Sequence, residues 1–445
     1  MLRRLTQPPR RLITHPRAPA AALALILALS LGARLFHLDA PCSSPCHGGA
    51  SHGLIFDEAY YVDAARVIAG IHPPAGVTYH DAPLHTDPNA EHPQLGKLAI
   101  AGGIELLGDN PWGWRIGSVI FGMLAIVAMY ALARAARGSP WLATGAAAVM
   151  ALDNLALIHG RIATLDIYVI ATVLVAATLY LRGWSLAAGI ALGVAACMKL
   201  VGLGVIPALV LLEAYRVSWA KGSTPGMLAM LRGRAVAPLV MLAGTFATLS
   251  LGVWLMDALV PAYDPGTHVV YSGNPYPHIG HMLSYAASLT AVPHATGISS
   301  TPWQWLLDQR PISYSRVAVD SLAGGKIIAS RAVFDARGEI NPFIIFLALP
   351  ALAAAAAAAW YERDRVAAVG AAWCVGTFLP FAVQDLAFGR ISYLYYMLLV
   401  MPGVYLVTAR LFSPRRVPRA ATLGWAVALV LGFVDLYPVR SLGGH

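Results

Sequence analysis

The chain has 445 residues, 58% of them hydrophobic and only 12% charged, with 31 Lys and Arg against 22 Asp and Glu for a net charge of +9. A mean hydropathy of +0.63 excludes an ordinary soluble globular protein and marks an integral membrane protein. Nor does the positive charge point to nucleic acid, because the basic residues are spread over short segments between apolar stretches and form no compact basic and aromatic module.

In chain order, about eleven stretches are long and apolar enough to read as membrane-spanning helices, at 19–38, 112–134, 140–158, 162–181, 184–198, 200–215, 234–256, 341–360, 366–385, 391–410 and 419–437. The pair at 184–198 and 200–215 is short and reads either as two helices or as one broken helix. With the N-terminus inside, Arg3, Arg4, Arg10, Arg11, Arg17, Arg134, Arg137, Arg182, Arg216, Lys221, Arg363, Arg365, Arg410, Arg415 and Arg416 all fall on the cytoplasmic side. The basic start before an apolar run also has the look of a signal peptide. Gly32-Ala33-Arg34 is a poor cleavage site, however, and a retained helix is expected.

The expected fold class is therefore all-α, a polytopic membrane protein of about 11 transmembrane helices. A cytoplasmic tail at 1–18 precedes an N-terminal transmembrane module at 19–256, which contains the external loop 39–111. A second external segment at 257–340 leads to C-terminal helices at 341–445. Both external segments are too long to be mere connectors. Within the first, 58–69 sets Tyr61, Ala65 and Ile68 at helical spacing and Leu95 to Leu107 does likewise, which suits helices lying in the membrane interface. Cys42 and Cys46 sit close together in this loop and are a disulfide candidate, whereas Cys197 and Cys374 lie in apolar runs and read as core. His47, His52, His72, His80, His85 and His92 lack an i, i+4 pair or compact Cys/His spacing, so no metal is expected.

Asp57-Glu58, just beyond the first span, places two carboxylates at a membrane boundary, where acids are costly and mark a functional site. They also suit a helix N-terminus, where the backbone dipole stabilises acids. The functional reading makes Asp57 a general base that takes a proton from a hydroxyl nucleophile. Glu58 points elsewhere on a helix and either positions substrate or supports the fold.

Four segments in fixed order, Phe56-Asp57-Glu58-Ala59-Tyr60-Tyr61, His92-Pro93-Gln94-Leu95-Gly96-Lys97, Gly160-Arg161-Ile162-Ala163-Thr164-Leu165-Asp166 and Met198-Lys199-Leu200-Val201-Gly202-Leu203, resemble the signature of the dolichyl-phosphate-mannose protein mannosyltransferases. These are polytopic glycosyltransferases that use lipid-phosphate sugars. Ser300-Thr301-Pro302-Trp303-Gln304-Trp305-Leu306 resembles the family's tryptophan-rich segment and Gly389-Arg390-Ile391-Ser392-Tyr393-Leu394-Tyr395-Tyr396 its C-terminal arginine and aromatic motif. Three departures stand out. Gln94 replaces the usual second proline, Gly160 stands where serine is common, and Tyr395-Tyr396 lacks the usual histidine. The 257–340 segment is too short for the additional domain of eukaryotic members, which implies a compact bacterial form.

The resemblance implies a polyprenyl-phosphate leaving group, whose growing negative charge preorganised cations stabilise at a water-poor interface. Arg161, Lys199 and Arg390 at the outer ends of spans, with His92 and Lys97, are the candidate donor phosphate ligands. Each long side chain has the alternative role of snorkelling to the interface. Asp166 either orients Arg161 or caps a helix, and Trp303 and Trp305 are interfacial belt residues or a sugar or peptide platform. The expected function is inverting transfer of a hexose, mannose by resemblance, to Ser or Thr of exported proteins, with no cofactor and no divalent metal. The implied partners are polyprenyl-phosphate-mannose, a secreted or membrane protein acceptor, the lipid bilayer and a secretion translocon. A lipid or glycan acceptor is the alternative, and a transporter or lipid flippase the rival of another class, though no internal repeat supports the latter.

Overall fold

The computed structural model describes residues 16–42, 53–219, 227–290, 297–323, 326–413 and 417–440. Every apolar stretch marked out above holds helix. The N-terminal half comprises α1 (Ala18–Leu35), α2 (Glu58–Ile68), α3 (Leu95–Leu107), α4 (Pro111–Ala135), α5 (Pro140–Ala151), α6 (Asn154–His159), α7 (Asp166–Leu181) and α8 (Ser185–Met198). A 3-10 turn at Leu200–Val205 then leads into α9 (Ile206–Trp219), followed by α10 (Met227–Leu259). The later helices are α11 (Pro275–Ser288), α12 (Pro302–Trp305), α13 (Pro342–Ala357), α14 (Arg365–Phe388), α15 (Met397–Leu411) and α16 (Arg419–Asp435). Among the described residues, seven helical stretches are long and apolar enough to cross a membrane, and α5, α7 and α8 are shorter apolar helices.

Several helices start where the sequence signals a start. Asn110, Ser139, Asn274 and Asn341 each accept a first-turn backbone N–H beside a proline near the first helical position, satisfying donors that the helix leaves open. Helix α7 is apolar all round, and α4 and α8 cover it, so most of its length is buried. The 184–215 region is two helices, not one. Lys199 adopts an extended backbone (φ −163°, ψ 132°) between α8 and the 3-10 turn. Gly202 then folds back on α8 so closely that a Cβ there would lie 3.2 Å from Ala195. One apolar core runs from Ile55 through Ile126, Ile170 and Met401 to Leu429, so the N- and C-terminal helices share a single interior.

The 257–340 segment carries structure that the apolar pattern did not announce. Strands β1 (Ala262–Asp264) and β2 (Val269–Tyr271) form a short antiparallel pair. Strands β3 (Ile312–Ala323) and β4 (Lys326–Gly338) form a long one, paired from Ile312↔Gly338 to Ala323↔Lys326 with register shifts after Ser313, Val317 and Ser321. The segments 39–111 and 257–340 are stitched together. Asp87 N–H donates to Pro261 O (2.9 Å), and Tyr263 N–H donates to Asp87 O (2.8 Å). Helices α2 and α3 turn apolar faces to each other, with Tyr61, Ala65, Ile100 and Ile104 in a small core closed by Trp114. The C-terminal stretch pairs with the base of β4, where Asp335 N–H donates to Pro438 O (2.8 Å) and Arg440 N–H to Val333 O (2.9 Å).

Candidate active site

Asp57 is set by an uncommon turn. Phe56 takes a left-handed backbone (φ 55°), which a bulky residue adopts only where its surroundings hold it. Its ring stacks on Tyr314 at the base of β3, with centroids 4.2 Å apart, and meets Tyr395 edge-on at 5.6 Å. Asp57 follows as the residue before α2, yet its side chain caps nothing. The carboxylate has no hydrogen-bond or ion-pair partner among the described residues. Burial lifts its pKa from 3.8 to about 6; neighbouring Lys199 pulls it down and Asp166 pushes it up. A carboxylate that is ionised at neutral pH, yet more basic than usual, suits a general base.

The cation beside it is Lys199, held at the break in the helix. Its ammonium pairs with Asp166 at 3.0 Å and lies 5.4 Å from the Tyr395 ring and 6.0 Å from that of Tyr61. Asp166 is the first residue of α7, where the helix dipole favours its charge. Helix α14 ends on left-handed Gly389 (φ 58°), and the next residue, Arg390, turns toward the same space. The Arg390 guanidinium donates to Ala286 O at 2.9 Å, while its buried Nε has no partner. Lys199, Arg390, His92, Tyr285, Gln384 and Tyr396 are among the walls of a cavity of about 240 Å³. Desolvation first, and then Lys199 and Lys97, push the pKa of His92 well below 6.5, so it is a neutral imidazole here. It can donate a hydrogen bond to a phosphate but brings no charge.

Two of the expected phosphate ligands lie elsewhere. Arg161 is buried against the end of α1, donating to Phe36 O (2.8 Å), His37 O (2.9 Å), Ala33 O and the Tyr437 hydroxyl (2.9 Å). Its guanidinium satisfies the carbonyls that a helix leaves open at its C-terminus, so it is not part of the cavity and Asp166 does not orient it. Lys97 is fully buried in an ion pair with Asp87 (2.5 Å) and donates to His92 O (2.8 Å). It holds the loop that carries His92 and does not itself reach the cavity.

Glu58 likewise has every lone pair engaged. Fully buried, it makes a two-point pair with Arg115 at 2.8 Å and accepts Ile55 N–H and Ala163 N–H at 2.7 Å. Arg115 also donates to Leu38 O and Ala40 O at 2.7 Å, tying α2, α4 and the Gly160–Asp166 loop into one frame. Glu58 therefore supports the turn that carries Asp57 and has no lone pair free for another molecule. Arg115 was missed in the sequence, although an arginine inside an apolar span was a signal for it. So was His159, whose ring bridges Thr164 Oγ1 and the Tyr314 hydroxyl, both at 2.9 Å.

Trp305 is fully buried, bonded to Ser300 Oγ (2.8 Å), and packs on Phe381 and Tyr396, so it backs the cavity wall. Trp303 is exposed and meets Phe378 edge-on. Cys42 is disulfide-bonded; Cys46, its expected partner, lies outside the described residues, and Cys197 and Cys374 are free. The departures from the family pattern have local reasons. Gln94 donates to Asp257 (2.5 Å), which also pairs with His278 (2.9 Å), linking the segments 39–111 and 257–340. A side chain at Gly160 would meet the Arg34 guanidinium at 2.7 Å, so serine there requires Arg34 to shift. Tyr395 flanks Lys199.

A family model described as dolichyl-phosphate-mannose-protein mannosyltransferase matches residues 101–300. Among curated proteins, the polyprenol-phosphate-mannose–protein mannosyltransferase of Mycolicibacterium smegmatis is 26% identical over 487 aligned residues, covering 95% of this chain and 89% of its own. The protein of the same name from Corynebacterium glutamicum is 25% identical over 417 residues, 81% of this chain and 77% of its own. Among solved structures, the S. cerevisiae protein O-mannosyltransferase Pmt1-Pmt2 complex bound to the sugar donor superposes with a TM-score of 0.67 at 13% identity, over 98% of this chain and 92% of that one. At that identity the likeness is one of fold.

Proposed function

We propose that this chain, which is related to the dolichyl-phosphate-mannose protein mannosyltransferases, transfers mannose from a polyprenyl-phosphate donor to Ser or Thr hydroxyls of exported proteins. The observation that carries the reading is Asp57: an unpartnered carboxylate with a raised pKa, beside Lys199 and near a cavity that presents Arg390 and His92. Asp57 accepts the proton of the acceptor hydroxyl as its oxygen attacks the anomeric carbon. The bond to phosphate breaks on the opposite face, so the configuration inverts and no second carboxylate is needed. Lys199 and Arg390 stabilise the charge that grows on the departing phosphate, and His92 donates a hydrogen bond.

The orientation follows from the same reading. The basic helix ends face the cytoplasm of a plasma-membrane protein whose N-terminus is inside, and Asp57 faces outward, where a translocon delivers unfolded acceptor chains. Fixed cations replace a divalent ion. The grouping of Asp57, Lys199, Arg390 and His92 at one end of the bundle disfavours a transport path, which would distribute polar groups through its depth.

The test is incubation of the purified protein with radiolabelled polyprenyl-phosphate-mannose and, in parallel, Ser/Thr peptides, glycans and lipids. Labelled peptide with an inverted linkage is expected, and Asp57→Asn should nearly abolish it. Labelling of lipid or glycan alone would refute the protein acceptor. Absence of transfer to every acceptor would refute the donor.

A further inference from the structure

At the end of the bundle away from Asp57, a cavity of about 590 Å³ opens among the ends of α4, α7, α9 and α14. Helix α7 runs from Asp166 beside the active site to Leu181 on this cavity, so the two are separated by about 24 Å at 1.5 Å per residue. Arg137, Arg216 and Arg365 line it. Arg216 is paired with Glu213 at 2.5 Å. Arg137 and Arg365 have no side-chain hydrogen bond or ion pair among the described residues, so the cavity presents uncompensated positive charge.

The cavity does not stop at this charge. It shares Gly183, Ser185 and Ala237 with a groove of about 650 Å³ that follows α8 and α10. The groove is walled by Trp184, Leu186, Ile190, Val236 and Val240, all exposed, with Trp184 at 59% and Leu186 at 56%. Gly183, left-handed at φ 87° with no atom within 4 Å of where a Cβ would sit, leaves the passage between the two open. A cationic chamber continuous with an exposed apolar channel is complementary to one class of ligand, a molecule with an anionic head and a hydrocarbon tail.

We propose that this is a binding site for an anionic phospholipid, with its headgroup phosphate between Arg137 and Arg365 and one acyl chain along α8 and α10. A phospholipid fits better than the prenyl donor because the channel opens sideways along exposed apolar residues. Bulk lipid can therefore enter it from the same leaflet, and the site faces away from Asp57.

The test uses the full-length protein, delipidated in detergent and mixed separately with phosphatidylglycerol, phosphatidylethanolamine, undecaprenyl phosphate and inorganic phosphate. Native mass spectrometry and thermal unfolding are the readouts. Phosphatidylglycerol should stay bound and raise the unfolding temperature, while phosphatidylethanolamine and inorganic phosphate should do neither. Joint Arg137→Ala and Arg365→Ala substitution should weaken phosphatidylglycerol retention at least about tenfold, as loss of charge-assisted hydrogen bonds predicts, and leave mannosyl transfer in detergent unchanged. Ala187→Trp, which fills the channel without touching an arginine, should have the same effect on retention and covers the case in which the double variant does not fold. Equal retention of phosphatidylethanolamine, retention of undecaprenyl phosphate in preference to phosphatidylglycerol, or full phosphatidylglycerol retention by the folded variants would overturn the proposal.

Discussion

At the scale of single residues, Asp57 carries a conflict between stability and activity. Removing its charge should help the fold and end the chemistry. Asp57→Asn is expected to lower turnover by about 10²-fold or more, in the range of general-base contributions, as measured by peptide labelling. Because the folded-state pKa is raised from 3.8 to about 6, the folded protein binds the proton more tightly than the unfolded chain. Wild-type stability therefore falls as pH rises from about 4 to about 6, by at most about 3 kcal/mol. The Asn variant should lack that slope and melt no lower than wild type at pH 7.5. Activity of the wild type should rise with pH on an acid limb near pH 6 in kcat/KM. A limb that stayed below pH 4.5 would remove Asp57 from the base role.

Glu58 is the contrasting neighbour. Glu58→Gln breaks one partner of a buried pair with Arg115, and the expected loss is about 3–5 kcal/mol of stability, seen as a lower melting temperature. Among the cations, Lys199→Ala or Arg390→Ala should raise the donor KM more than the acceptor KM. Arg161→Ala should instead destabilise the end of α1 and leave the donor KM of the folded fraction near wild type. Equal donor defects in all three variants would restore Arg161 to the phosphate site. From sequence, Arg161, Lys199 and Arg390 were indistinguishable, since each is a cation at the outer end of a span. What separates them is which backbone carbonyls lie nearby. The carbonyl partners of Arg161 come from residues 33–37, over a hundred positions away, and no local pattern reports such a pairing.

At the scale of elements, long helices were legible because an apolar run of spanning length has few other uses. The break at Lys199 was half legible: two short runs allowed a discontinuity, and the extended backbone there supplied the answer. The hairpin β3–β4 was not read, although Ile312–Ala323 and Lys326–Gly338 flank Gly324-Gly325 in a run with alternating apolar residues, which is a hairpin signal. Composition dominated by helices drowned it. The tryptophan segment separates its two members. Trp305→Ala should cost about 3–5 kcal/mol, as loss of a buried aromatic does, and disturb the cavity through Tyr396. Trp303→Ala should leave the melting temperature near wild type, and a change in acceptor KM alone would mark Trp303 as a peptide platform.

At the scale of the whole molecule, the proposed mechanism can be tested by removing divalent ions. Exhaustive chelation should leave mannosyl transfer intact, because a monophosphate leaving group with fixed Lys and Arg neighbours needs no divalent ion. Turnover lost to chelator and restored by one metal, with stoichiometric binding to the 39–111 segment, would make His72, His80, His85 or His92 a ligand.

The pairing of residues 438–440 with β4 also has a consequence for how the molecule comes into being. Tyr314, on the partner strand, holds Phe56 in its left-handed turn, and Tyr437 donates its hydroxyl to Ala33 O beside Arg161. The last described residues thus brace the region that sets Asp57, which lies far from them in sequence. A chain cut after Asp435 keeps the described helices but lacks the contacts of Tyr437 to Arg440, so the turn that carries Asp57 is incompletely supported. It should therefore still resist alkaline extraction while sugar transfer falls, because the short stretch after α16 completes the site once the helices are in place.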